Sequence, residues 1–308
     1  MRFPIRFLEK PPRINFIGNR WYGFTFTIIG MIVTAVSLMT QGLNFGIDFT
    51  GGVVMEIRTE QVADVSKLRQ ILNVPELGGA MIQSVGEGRD VMIRLAPQEG
   101  LQQSAVADKV RALVTEGYGS AVEFTRVDYV GPQVGKELIT GSLVAVGLAL
   151  VMMLLYLWFR FEWQYGAGGI LALIHDAIMM VGFFSVTQIE FNLTSVAAIL
   201  TVIGYSINDS VVIYDRVREN LRKYKTMPLD TLLNQTINET LSRTILTGGT
   251  VFLALIGLVT LGGEVLFGFS AAMMFGVVVG TYSSIYVSAT ILIYLSLRRE
   301  EPAKEASA

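Results

Sequence analysis

Asp209 stands sixteen residues into the apolar run that opens at Leu193, and it is the residue whose chemistry most needs explaining. An ionised carboxylate inside a bilayer costs roughly 3 kcal/mol on insertion scales, so an acid there implies a function and a partner. Arg243, in the next apolar run, is the expected partner. At 1.5 Å per residue, Asp209 lies about 24 Å past Leu193 and Arg243 about 27 Å before Leu261, so the two match in depth. The chemistry open to such a pair is reversible protonation: neutralising Asp209 weakens its hold on Arg243 and frees the helices to repack. The bland alternative is that Arg243 snorkels to the interface while Asp209 sits in headgroup water.

Other polar residues gather around this pair. Thr194, Thr201, Tyr205 and Asn208 share one face of the helix, with Asp209 at its edge; Thr240, Arg243, Thr244, Thr247 and Thr250 cluster on the next. Two such faces predict a hydrogen-bonded seam. His175 and Asp176 interrupt the preceding apolar run near its middle. They could extend a proton relay, histidine being the side chain that exchanges protons near neutrality, or they could pair as a satisfied polar core.

The elements that must hold these residues are membrane helices. The 308-residue chain is 52% hydrophobic and only 16% charged, too apolar for an ordinary soluble domain. Arg2, Arg6, Lys10, Arg13 and Arg20 precede an uncharged run longer than the roughly 20 residues that span the hydrocarbon, which predicts an uncleaved first helix. The expected organisation is a cytoplasmic N-terminus at 1–20, a first span at 21–43, an extracytoplasmic domain at 44–135, five further spans within 136–297 and a cytoplasmic tail at 298–308. Within the five, the runs Leu138–Phe159, Gly166–Val186, one from Leu193, Ile237–Leu261 and Val265–Leu297 are the spans. Lys and Arg crowd the 216–225 segment and are missing from the turns at 187–192 and 261–267, which places both termini inside.

The 41–137 stretch is polar and acidic, with thirteen acids against nine bases. Its apolar pattern predicts strands at 52–59, 80–85, 89–95 and 120–130 with helices at 62–73 and 99–116. That βαββαβ order predicts a ferredoxin-like α+β sandwich. In the membrane region, Ala272, Gly276, Gly280, Ser284 and Ser288 recur every four residues, as do Gly141, Ala145 and Ala149; small stripes of this kind let helix backbones approach closely.

Several classes are excluded. The chain has no cysteine and a single histidine, so disulfides, thiolate metal sites and Cys nucleophiles are out and no metal cluster is expected. No phosphate-binding Gly-rich loop ends in Lys-Ser or Lys-Thr, and no nucleophile triad stands out. No enzyme activity, no cofactor and no nucleic-acid partner are therefore expected.

Three stretches carry a resemblance. Asn44–Gly52, containing Asp48, Gly51 and Gly52, Gly131-Pro132-Gln133-Val134-Gly135, and Val202–Asn220, containing Gly204 and Asp209, resemble the SecD/SecF family of the resistance-nodulation-division superfamily. The resemblance covers nearly the whole chain. It implies a half-unit of the bacterial inner (cytoplasmic) membrane that joins a separate SecD in a twelve-helix complex beside the SecYEG channel. There it would use the proton-motive force to promote translocation and release of unfolded preproteins on the outer side. It also implies that Asp209 and Arg243 occupy the family's essential helix-four acid and helix-five arginine positions. Two rivals remain: a proton-coupled exporter half-unit for lipids or small molecules, and a scaffold subunit in which Asp209 and Arg243 are merely a buried pair.

Overall fold

The structure, a computed structural model, describes residues 12–74, 77, 79–85, 88–97, 102–118, 122–295 and 297. The expected cytoplasmic tail at 298–308 and the first eleven residues of the expected N-terminal segment lie outside them. The chain divides into two compact units. One comprises Met1–Asn44, Ala145–Glu190 and Thr194–Ala308; the other comprises Phe45–Val144 together with Phe191–Leu193.

The first unit is helical. Its elements are α1 (Arg20–Thr40), the C-terminal half of α5 (Pro132–Arg160), α6 (Trp163–Thr187), α7 (Leu193–Lys223), α8 (Leu229–Leu261) and α9 (Gly263–Ser283), which runs on into a π-helical turn at Ser284–Ala289. Among the described residues, six helices are long and apolar enough to cross a membrane. Helix α5 begins at Pro132, where the missing N–H costs nothing because the first turn has no intrahelical acceptor for it. Helix α8 starts eight residues earlier than hydropathy alone suggests. Its first two turns are polar, and they are held by Asn234, which accepts the Ile17 N–H at 3.2 Å, and by Thr236, which accepts from the Asn220 amide at 2.9 Å.

Small residues set how closely these helices pack. A Cβ at Gly182 of α6 would collide with the Thr34 side chain of α1, and one at Gly276 of α9 would collide with Val202 of α7. Ala272, Gly276, Gly280, Ser284 and Ser288 are all buried, so that stripe is an internal packing surface. The α5 stripe behaves differently: Gly141 and Ala145 are exposed and a Cβ at Gly141 would meet nothing.

In the second unit, β1 (Gly52–Thr59), α3 (Val65–Leu72), β2 (Ala80–Val85), β3 (Asp90–Leu95), α4 (Gln103–Tyr118) and β4 (Val122–Val130) follow in chain order. The sheet order is β2-β3-β1-β4, antiparallel throughout. Alternation is visible in β3, where Val91, Ile93 and Leu95 are buried while Asp90, Met92 and Arg94 between them are half-buried. The buried set meets Leu68 and Leu72 of α3 and Val106, Val110 and Val114 of α4, forming a core of its own. Asp64 caps α3 by accepting the Lys67 N–H at 3.0 Å.

A one-turn helix, α2 (Ile47–Thr50), leads into β1 through Gly51 and Gly52, whose φ angles of 71° and 116° few other residues tolerate. A Cβ at Gly52 would also strike the Leu95 carbonyl. Asp48 Oδ2 accepts the backbone N–H of Leu193 at 2.9 Å, and Phe45, Phe49 and Phe191 pack ring against ring.

Candidate functional site

Asp209 faces the interior of the helical unit and is 8% exposed. Its two oxygens receive hydroxyl protons from two other helices. Thr244 Oγ1 on α8 donates to Oδ1, and Ser284 Oγ, at the start of the π turn, donates to Oδ2, both at 2.5 Å. Hydrogen bonds to a charged group are worth about 1.5–3 kcal/mol each. Two of them offset much of the several kcal/mol that burying one carboxylate costs, so neither protonation state is prohibitive.

The expected ion pair is not formed. Among the described residues no salt bridge joins Asp209 to Arg243, although Arg243 lies close enough to act on Asp209 through its charge. The reason is helical: successive residues point about 100° apart, so matched depth fixes the turn but not the face. Thr244 takes the inward position and Arg243, one residue earlier, is exposed.

A second carboxylate lies deeper. Asp176 on α6 is fully buried; His175, beside it, is 2% exposed. Asp176 Oδ1 is 2.9 Å from His175 Nδ1, while Oδ2 accepts from Ser206 Oγ of α7 at 2.5 Å and Ser283 Oγ of α9 at 2.8 Å. His175 Nε2 is buried without a hydrogen-bond partner. Ser206 and Asp209 are three residues apart and so share one face of α7. The two carboxylates thus sit on one polar seam through α6, α7, α8 and α9.

The remaining predicted residues divide. Tyr205 is half-buried and hydrogen-bonded to Thr281 of α9. Asn208 and Thr247 are exposed, as are Thr194, Thr201 and Thr250, so beyond the Thr244–Asp209 bond the two polar faces do not close on each other within this chain. A Cβ at Gly204 would meet nothing. Asp48, Gly51, Gly52, Gly131 and Pro132 lie in the other unit, in its turns and at the start of α5. The hydroxyl donors Ser206, Ser283 and Ser284 were not singled out by charge reasoning. The available signal was their spacing, three residues before the acid and as consecutive serines in an apolar helix.

The profile of the family described as protein export membrane protein SecD/SecF, C-terminal, matches residues 110–298. That of the SecD/SecF GG motif matches residues 36–61. The chain belongs to the SecD/SecF protein-export family. It is 41% identical over 299 residues to the protein translocase subunit SecF of Rickettsia bellii, covering 97% of this chain and 99% of that relative. It is 41% identical to the SecF of Rickettsia prowazekii, with 96% of each chain covered. Among solved structures it is similar to SecDF, a translocon-associated membrane protein from Thermus thermophilus, with a TM-score of 0.82 and 36% identity. The match takes in 97% of this chain and 40% of the SecDF chain. A super-membrane-facing form of SecDF matches with a TM-score of 0.66 at 34% identity. His175, Asp176, Asp209 and Arg243 all fall within the region matched by the SecD/SecF C-terminal family.

Proposed function

We propose that this chain is the SecF subunit of a SecD–SecF accessory complex of the Sec translocase, and that it uses the proton-motive force to promote preprotein release on the outer side of the membrane. The observation that carries the coupling role is the buried Asp209 carboxylate, held by two hydroxyls in place of a contacting base. A carboxylate so held can take up a proton without leaving a bare cation inside the membrane. A charge moved across the whole membrane potential is worth about 2.3 kcal/mol per 100 mV, enough for a domain movement of modest cost. No cofactor enters this scheme.

The partner follows from what is left open. Thr201 and Asn208 of α7 and Arg243, Thr247 and Thr250 of α8 are exposed side chains on spans that would otherwise face hydrocarbon. Polar groups at that depth need a protein cover. A SecD half supplies it, placing Arg243 inside a twelve-helix assembly beside the SecYEG channel. The two helices and the β2-β3-β1-β4 sheet support a ferredoxin-like module for residues 44–135, placed outside an inner membrane with both termini in the cytoplasm.

Reconstitution tests the reading. Vesicles containing SecD, SecYEG and this chain should translocate preprotein faster when a proton gradient is imposed, and a protonophore should remove the gain. Equal rates with and without this chain would leave the scaffold reading in its place.

A further inference from the structure

The two buried carboxylates are reached by consecutive residues of one helix. Ser283 donates to Asp176 Oδ2 and Ser284 donates to Asp209 Oδ2. Each serine also has a second acceptor in its own preceding turn. Ser283 Oγ is 3.1 Å from the Gly280 carbonyl, and Ser284 Oγ is 2.9 Å from the Thr281 carbonyl. A serine hydroxyl carries one proton, so it can donate to the carboxylate or to the backbone but not fully to both.

The place where this choice is made is mechanically soft. Ser284 is the first residue of the π turn, and π turns inside α-helices are sites of weakened regular bonding, frequent at functional positions. The neighbouring turn is tightly seated: a Cβ at Gly280 would lie 3.1 Å from Ser206 Cβ, so any movement of α9 here reaches the hydroxyl that serves Asp176. Within the same π turn Ser288 is bonded to Tyr214 of α7 at 2.5 Å, which anchors its far end.

We propose that Ser284 is a positioning residue that reads the proton state of Asp209, and that the Ser283–Ser284 pair passes this state to Asp176. The inference rests on the reading of Asp209 as the coupling carboxylate. When Asp209 is ionised, Ser284 and Thr244 both donate to it. When a proton arrives on Oδ2, the acid O–H donates to Ser284 Oγ, and the serine's own proton turns to the Thr281 carbonyl; Oδ1 still accepts from Thr244. No heavy-atom bond forms or breaks and one proton is gained. The added i to i−3 bond tightens the turn ahead of the π segment and shifts Ser283 relative to Asp176. The other groups facing this site are Tyr205 on α7 and the charge of Arg243 on α8 around Asp209, and His175 and Ser206 around Asp176.

The test is infrared difference spectroscopy on the full chain co-reconstituted with SecD, stepped between high and low pH, with force-dependent translocation measured on vesicles that contain SecYEG as well. The protonated carboxyl C=O band that disappears in Asp209→Asn reports this group. In Ser284→Ala that band should move to higher frequency because the acid has lost its acceptor, and force-dependent translocation should fall about tenfold or more, the equivalent of one charged hydrogen bond. Ser284→Thr keeps the hydroxyl and should restore both, which separates the switch from a packing defect. A Ser284→Ala protein with an unmoved band overturns the proposal whether or not its rate falls. An Asp209→Asn protein with full force-dependent translocation would instead remove the coupling role on which the proposal stands.

Discussion

Thr244 Oγ1 donates to Asp209 Oδ1 at 2.5 Å, while Arg243, its neighbour in sequence, makes no ion pair with that carboxylate. The acid is therefore held by neutral donors within this chain, and the base acts on it through charge at longer range.

Thr244→Val keeps the shape of the side chain and removes the hydroxyl, leaving a buried carboxylate short of one donor. We expect force-dependent translocation to fall roughly tenfold while Thr244→Ser stays near wild type. Matching rates for Val and Ser at this position would show that the hydroxyl is dispensable.

Arg243→Lys keeps the positive charge and loses the planar guanidinium, so it should be milder than Arg243→Ala. Because Arg243 is exposed in the isolated chain, neither change should alter its folding in detergent. Assembly with SecD, measured by co-purification, should weaken in Arg243→Ala. Loss of folded protein before SecD is added would contradict the placement of Arg243 on an open face.

Gly276 and Gly204 should respond oppositely to the same substitution. A Cβ at Gly276 collides with Val202 and comes within 3.0 Å of the Met180 sulfur, whereas one at Gly204 meets nothing. Gly276→Ala should destabilise by about 1–3 kcal/mol through overpacking. Gly204→Ala should leave the isolated chain as stable or gain up to about 1 kcal/mol of helix propensity. Chemical unfolding in detergent compares them, and equal midpoints would contradict the α7–α9 packing.

The β1–β3 pair offers a pH prediction for the 41–131 fragment, which has its own core and should unfold cooperatively. Arg58 donates to Asp90 at 2.8 Å, and this bond holds the Asp90 carboxyl below its usual range. A depressed carboxylate contributes stability above its unfolded pKa, about 3.9, and that contribution is lost as pH falls through the folded value. Arg58 is largely in solvent and Asp90 partly so, so the effect is small and screened by salt. The stability gap between wild type and Arg58→Ala should shrink toward zero in that acid range; a gap that widens on acidification would contradict the assignment.

Much of this architecture was legible in the residues, and the reasons differ by element. Long uncharged runs mark membrane helices because hydrocarbon penalises charge along the whole length of a span. The β3 strand falls where alternation is clean, and β1 where a run of apolar residues is buried along most of its length. The start of α8 was not legible, because its polar first turns are stabilised by tertiary bonds at Asn234 and Thr236 that carry no local hydropathy signal. Neither was the partner of Asp209. Counting residues gave Arg243 the right depth, but facing depends on rotation about two helix axes, and a single residue step moves a side chain about 100°. Ser284 was visible only as a small residue permitting close approach; that it and Ser283 donate hydrogen bonds follows from which helices lie against them.

The most direct test of the central claim is preprotein translocation into vesicles containing SecD, SecYEG and the Asp209→Asn chain, measured with and without an imposed proton gradient. Asparagine keeps nearly the shape of aspartate and cannot take up a proton near neutrality, so folding and co-purification with SecD should persist while the gradient-dependent gain disappears. Full gradient-dependent stimulation by the Asp209→Asn chain would contradict the account.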